Sequence, residues 1–301
     1  MNCLLCPRKC GASRATPNPP GFCGAGAVAR VFRHGPHFGE EPPISGERGS
    51  GTVFFSHCTM RCLYCQNHPW SQSNRGEDMD VPRLAEVFKN IAEQGCHNWN
   101  LVSPTPWLPQ IREAHALAVA QGSRRLPLVF NTSGYECVDT LAEYADLADI
   151  TLCDLRYADN RTAAEASGAP DYVDISRAAL SHFWNRLGPL QEDGEGIATR
   201  GVIIRVLVLP GHASEAVDNL RWVADHLGTG VHISLMAQYT PAHRAASLPV
   251  WNRGITADEY ALATDALESL GFENGWAQEH TPERHATLLG EDMKPGHGTA
   301  G

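Results

Sequence analysis

The chain has 301 residues, 43% of them hydrophobic and 19% charged, which is enough to bury the core of one large α/β domain with an appendage, or of two small domains. A formal net charge of −10 argues against sequence-independent nucleic-acid binding, which needs a basic surface to displace counterions. No run approaches the roughly 18 apolar residues of a membrane span, and the opening Met1-Asn2-Cys3-Leu4-Leu5-Cys6 lacks the basic-then-apolar pattern of a signal peptide. A cytoplasmic protein is expected, in which a count of ten cysteines points to metal ligation rather than to disulfides.

Seven of those cysteines fall within the first 65 residues, in two groups. The first is Cys3-x2-Cys6-x3-Cys10-x12-Cys23, in a segment rich in proline and glycine that has too few apolar residues to fold alone. A bound metal would supply the missing cross-links, since ligand binding is then folding energy. One tetrahedral site is expected here, holding either zinc or a second iron-sulfur cluster. His34 and His37 are alternative ligands that read more simply as solvated loop histidines. Gly24-Ala25-Gly26-Ala27-Val28-Ala29 matches a dinucleotide fingerprint, but Pro17-Asn18-Pro19-Pro20 stands where the required strand should be.

From Thr52 onward β-rich runs alternate with helical patterns. The strands are expected at Thr52–Ser56, Asn98–Val102, Pro127–Asn131, Ile150–Asp154, Val202–Leu209 and His232–Gln238. Between the first two, Asp80 caps a helix whose Leu84, Val87, Phe88 and Ile91 share one face and which stops near Gly95. Further helices are expected at Pro109–Gln121, Val138–Ala148, Tyr172–Leu187 and Ser214–Leu227. Gly188–Gly201 reads as a polar surface loop. Thr256 and Glu259 form a capping box for a last helix ending at Gly271, and the tail from Thr281 reads as mobile. The single cysteines Cys96, Cys137 and Cys153 read as small hydrophobes.

About six βα units are fewer than the eight of a closed barrel, so an open or partial (β/α)6 TIM-like barrel is expected. Functional groups in such folds gather at the carboxyl ends of the strands. Those ends carry Ser103-Pro104-Thr105, Asn131-Thr132-Ser133-Gly134, Asp154 with Arg156, Pro210-Gly211 and Gln238-Tyr239. Arg205 interrupts an apolar strand, which is costly unless the guanidinium is paired. Its partner is either a ligand carboxylate or an acid such as Asp154.

After the first strand comes the second group of cysteines, Cys58-Thr-Met-Arg-Cys62-Leu-Tyr64-Cys65. A cubic iron-sulfur cluster normally takes four thiolates, so three in a tight loop leave one iron open to a small molecule. This C-x3-C-x2-C spacing resembles the signature of the radical S-adenosylmethionine (radical SAM) superfamily. Tyr64 stands where that superfamily usually has an aromatic residue.

Over nearly its whole length the chain is similar to the radical SAM branch related to pyruvate formate-lyase activating enzymes and often labelled PflX. Matching fragments include Cys3-Leu-Leu-Cys6-Pro-Arg-Lys-Cys10-Gly11, Glu40-Glu41-Pro42-Pro43-Ile44-Ser45-Gly46, Cys65-Gln66-Asn67, Asn131-Thr-Ser-Gly-Tyr-Glu136 and Leu207-Val-Leu-Pro-Gly211. The resemblance implies three units: a cysteine-rich extension over 1–50, a radical SAM core over 51–245, and a C-terminal helix with tail over 246–301. It further implies a 4Fe-4S cluster on Cys58, Cys62 and Cys65 that chelates SAM, an oxidoreductase-type reductive cleavage of SAM, and hydrogen abstraction from a substrate. Tyr64, Ser103, Thr105, Asn131, Ser133, Asp154, Arg156 and Arg205 are the implied cofactor contacts.

A reductant such as flavodoxin or ferredoxin is the implied partner, and a glycine on a partner protein the implied substrate. The alternatives are radical SAM modification of another peptide, a metabolite or RNA, and a non-catalytic iron-sulfur or zinc protein. Two departures stand out. His57 replaces the glycine common before the first cluster cysteine, and Ser103-Pro104-Thr105 replaces a Gly-Gly-Glu common at the second strand end.

Overall fold

The computed structural model describes residues 2–15, 19, 21–281 and 296–297, so most of the tail from Thr281 lies outside the described residues. Eleven strands are present among them: β1 Ala29–His37, β2 Ser50–Phe55, β3 Glu77–Met79, β4 Trp99–Val102, β5 Leu128–Thr132, β6 Ile150–Asp154, β7 Gln191–Glu192, β8 Ala198–Leu207, β9 His232–Met236, β10 Asn274–Ala277 and β11 Gly296–His297. The main path of the sheet runs β10-β9-β8-β6-β5-β4-β2-β1-β11, with β3 on β1 and β7 on β8. β2, β4, β5, β6, β8 and β9 pair in parallel, each with the next. These are the six expected strands, and they form the α/β partial barrel the sequence implies.

Their apolar runs explain the arrangement, because strands covered on both faces by helices and loops read as continuous hydrophobic stretches. Leu128, Val129 and Phe130 of β5, Ile150 and Leu152 of β6, and Val202, Ile203 and Ile204 of β8 are all buried. Helix Val81–Glu93 is capped as expected, with the Asp80 side chain accepting from Arg83 N–H at 3.0 Å. It buries Leu84, Val87, Phe88 and Ile91. Helix Tyr172–Leu187 has the expected bounds, and Thr256 with Glu259 makes both bonds of a capping box on helix Ala257–Ser269.

Several elements differ from expectation. The polar stretch before β8 is a short hairpin rather than a loop, because Asp193 Oδ1 accepts from Glu195 and Ile197 N–H and turns β7 onto an earlier start of β8. The expected helix Val138–Ala148 breaks at Tyr144 into Val138–Glu143 and a 3₁₀ turn, Ala145–Leu147. Helix Asn160–Ser167, capped by Asp159 and closed by left-handed Gly168, was not expected. At the sheet edges β10 runs parallel to β9, and β1 runs antiparallel to β2. The glycines at 24 and 26 precede β1 instead of opening a helix, so they make no dinucleotide turn.

Candidate active site

The strands deliver their carboxyl ends to one cavity of about 530 Å³. Cys58, Cys62 and Cys65 line it together with Tyr64, Ser103, Asn131, Ser133, Asp154, Arg156 and Arg205. Thr105 is the one expected contact that does not: its buried hydroxyl donates to Glu136 Oε1 at 2.7 Å and Oε2 at 2.8 Å. A wider groove of about 790 Å³, lined by residues such as Asp159, Glu165, His212 and Asp218, contains none of the expected site residues.

Hydrogen-bond donors are aimed at each of the three sulfurs. Cys62 Sγ accepts from Arg156 Nη1 at 3.1 Å and from Ser167 Oγ at 3.0 Å. Cys58 Sγ lies 3.4 Å from Met60 N–H, and Cys65 Sγ lies 3.3 Å from Ser71 Oγ. Burial, reinforced by the neighbouring Cys62 and Cys65 sulfurs, pushes the Cys58 thiol up to about 12. Crowded thiols of this kind become thiolates when a cation takes them as ligands, and donors to sulfur are what thiolate ligands of iron need. The donor set therefore fits an iron-sulfur cluster.

Beside the cysteines, Asp154 joins two arginines. Its Oδ2 accepts from Arg156 Nε at 3.0 Å and Nη2 at 2.5 Å, and its Oδ1 accepts from Arg205 Nε at 2.7 Å. Burial pushes the Asp154 carboxyl up, but Arg205 and Arg156 outweigh it and hold the group below the usual carboxylate range. Arg205 also donates to Asn131 Oδ1 at 2.7 Å and faces Glu40 Oε2 at 3.4 Å. Of the two partners the sequence allows for Arg205, the structure supplies the acid, and Glu40 as a second one.

Glu40 was not anticipated as a site residue. It reaches the cavity from the turn after β1, where its Oε1 accepts from Asn100 and Asn131 side chains at 2.9 and 3.3 Å. Its burial pushes the carboxyl upward, while Arg205 and Asn100 hold it back. His37, expected as a solvated loop histidine, instead ends β1 and lines the cavity, where burial and then Arg33 lower the imidazole from its ordinary value. His34 is buried in the same strand. Tyr64 sits at the head of a hydrogen-bond chain: its hydroxyl lies 2.6 Å from Tyr157, Tyr157 lies 2.6 Å from Ser167 Oγ, and Ser167 reaches the Cys62 sulfur.

The His57 departure is resolved by the backbone. His57 has φ +69°, the left-handed region that glycine favours, and its Nδ1 lies 2.8 Å from the Cys23 carbonyl. Ser103 likewise has φ +57°. The four amino-terminal cysteines lie apart from the cavity lining; Cys3, Cys6 and Cys10 are in a small hairpin where Cys3 N–H donates to Ala12 O and Gly11 N–H to Cys3 O, and Cys23 follows it.

Comparison with known proteins agrees with this geometry. Residues 44–168 match the family model of 4Fe-4S single cluster domains. An uncharacterized protein of Methanocaldococcus jannaschii is 27% identical over 284 residues, covering 90% of this chain and 76% of that one. Among solved structures, HydG, a maturase of the [FeFe]-hydrogenase, superposes with a TM-score of 0.51 at 10% identity, covering 80% of this chain and 54% of its own. SuiB of Streptococcus suis, solved bound to S-adenosylmethionine, gives 0.48 at 10% identity, covering 74% of this chain and 48% of its own. The chain thus spans about half the length of these solved structures. The family model thus bears on a 4Fe-4S cluster over 44–168, and the likeness to HydG shows the fold alone. No described helix is long and apolar enough to cross a membrane.

Proposed function

We propose that the chain is a radical SAM enzyme. One observation carries the reading: three cysteine sulfurs of a single loop, each met by a donor, line the same cavity as the polar rim of a partial barrel. Cys58, Cys62 and Cys65 would hold three irons of a 4Fe-4S cluster and leave the fourth to the amino and carboxylate groups of SAM. When bound, the cluster supplies the electron that breaks a carbon–sulfur bond of SAM and frees a deoxyadenosyl radical.

The chain's own residues provide placement and charge. Arg156 and Ser167, donating to the Cys62 sulfur, stabilise negative charge on that ligand. Arg156 is also the cation offered to the SAM carboxylate, and Asp154 fixes its orientation. Arg205 is spent on Asp154, Asn131 and Glu40, so it acts as a positioning residue for the cavity wall. Ser103, Asn131 and Ser133 supply the hydroxyls and amide that the SAM amino group needs where the resembled Gly-Gly-Glu is missing. The cavity volume lies within the range for small-molecule sites.

The test is anaerobic reconstitution followed by an assay for 5′-deoxyadenosine with dithionite and SAM. Product formation is expected, and an iron-replete sample that makes none would leave a non-catalytic iron-sulfur protein as the better reading. The finer reading, an activase that draws hydrogen from a glycine of a partner protein and takes its electron from a flavodoxin or ferredoxin, rests on the sequence resemblance. A glycyl-radical doublet on such a partner supports it. SAM cleavage without that signal would overturn the activase and leave the radical SAM reading in place.

A further inference from the structure

Charge is distributed unevenly along the chain. Residues 1–75 carry eight Lys and Arg against three Glu, a net of +5 in a chain whose total is −10, so the remainder stands at −15. A local field of one sign steers a partner of the other sign. Three guanidinium groups show where that field is concentrated. Arg8 and Arg61 both stand over the ring of Phe22, 3.8 and 4.6 Å from its centre, and Arg244 donates to the Arg61 carbonyl at 2.8 Å. Lys9, next to Arg8, is exposed, as are Arg61 and Arg244.

Main-chain carbonyls hold all three guanidinium groups, which fixes their positions and leaves their charge uncancelled. Arg8 donates to the carbonyls of Thr59 (3.1 Å), Ser167 (3.4 Å) and Gly168, and Arg61 to that of Phe22. Among the described residues none of the three pairs with a carboxylate. Arg30, Arg83, Arg112 and Arg253, by contrast, each sit on one. Asp171 comes into the neighbourhood through Tyr135, whose ring centre lies 4.8 Å from Arg8 and whose hydroxyl donates to Asp171 Oδ1 at 2.7 Å.

These cations sit on the cysteine loop but not in the cavity. Arg61 stands between Cys58 and Cys62, and Thr59, which Arg8 bonds, belongs to the same loop. Ser167, another partner of Arg8, gives its hydroxyl to Cys62 Sγ at 3.0 Å. Neither Phe22 nor any of the three arginines lines the cavity. An electron delivered at this face therefore reaches the sulfurs without crossing the cavity. Electron-transfer proteins associate through small interfaces, in which complementary charge does the steering and the orienting.

We propose that Arg8, Lys9, Arg61 and Arg244, around Phe22, form the docking face for an acidic one-electron carrier protein that reduces the cluster. One electron leaves the carrier and enters the cluster, and no atom is transferred. The inference rests on the radical SAM reading for the cluster's need of an electron, while the face itself is read from residues outside the cavity.

The full-length chain with its cluster reconstituted, and a variant combining Arg61→Gln with Arg244→Gln, test the face by stopped flow. The reductants are a reduced flavodoxin of strongly negative charge and reduced methyl viologen, a small cation that a basic face does not attract. Loss of the cluster's visible absorption is followed without SAM, so a failure of the radical SAM reading leaves this readout intact. Flavodoxin should reduce the variant about tenfold more slowly than the parent at low ionic strength, and only about twofold more slowly at ~0.5 M salt, where charges are screened over a few ångströms. Methyl viologen should reduce the variant no more slowly than the parent. Lys9→Gln alone should slow flavodoxin by about threefold at low salt. A parent that flavodoxin cannot reduce, or a double variant reduced at the parent's rate, overturns the proposal. So does an equal slowing with both reductants, which places the loss in the cluster rather than at the surface. A duplex oligonucleotide bound more tightly than flavodoxin at the same salt would give the face to nucleic acid and overturn it as well.

Discussion

Glu136 gives the sharpest quantitative test of the site's construction. Its carboxyl is buried behind the rim, where Thr105 donates to both oxygens and Thr132 to Oε1 at 2.5 Å. It thereby ties the segment after β4, which carries Ser103, to the end of β5, which carries Ser133. Burial pushes it up from an ordinary 4.5 to about 7, even though both threonine bonds favour the charged form. At about 1.4 kcal/mol per tenfold change in proton affinity, that displacement corresponds to roughly 3 kcal/mol. Below pH 4.5 folded and unfolded chains are both protonated and the native state keeps its full advantage. Between 4.5 and about 7 the unfolded chain releases the proton first, so stability falls as pH rises, and above about 7 the advantage is gone. Glu136→Gln keeps the size and an acceptor for each threonine but cannot ionise. The variant should match the parent near pH 4.5 and exceed it by up to about 3 kcal/mol at pH 8, or on the order of 5–10 °C in melting midpoint. Anaerobic thermal unfolding at both pH values measures the difference, which cancels the other titrating groups. If the two proteins keep the same gap across that range, Glu136 is not a buried carboxyl that resists ionisation, and the account of the rim is wrong.

Other perturbations separate the wall of the cavity from the sulfur loop. Asp154→Asn leaves Arg156 and Arg205 without their shared charge and should cost about 3–5 kcal/mol; a melting midpoint within a degree of the parent would contradict the pairing. Gly134→Ala places a methyl 2.4 Å from the Asp154 carbonyl at a φ of +79°, so a loss of about 2–4 kcal/mol is expected. Protease resistance equal to the parent's would argue that this turn is looser than drawn. Cys62→Ala should abolish both the cluster band of the cavity and deoxyadenosine formation while leaving far-UV circular dichroism intact, because Cys62 is one small side chain in a core drawn mainly from the strands and helices. Global unfolding of that variant would refute the separation.

The six parallel strands were legible because each centres on a short apolar, mostly β-branched or aromatic run, and the cysteine loop because its spacing is local. β1 was hidden by Arg33, His34, Gly35 and Pro36, which break any alternation; it stands in the sheet because β2 offers it an antiparallel edge. Helix Asn160–Ser167 buries Thr162, Ala163, Ala166 and Ser167, small residues that leave no hydrophobic stripe to read. Glu40 has a similar explanation. In the sequence it is one acid in a polar turn before Pro42, and only the pairing of β1 with β2 brings it to Arg205 and Asn131, 165 and 91 positions away. Its signal was present in the resembling fragment Glu40–Gly46, but without a role attached.

The two departures from the resembled pattern carry a different lesson, since the backbone requirement outlived the residue that usually meets it. His57 at φ +69° and Ser103 at φ +57° occupy the left-handed conformation at a cost of about 1–2 kcal/mol each. Each position has a compensating bond: His57 N–H donates to Trp70 O at 3.1 Å, and Ser103 N–H to Asn131 O at 3.0 Å. A glycine at 57 would relieve the strain but could not reach the Cys23 carbonyl. The histidine thus exchanges an easy turn for a tie between the two cysteine groups, which is why a missing glycine in the sequence marks a contact rather than a defect in the cluster loop.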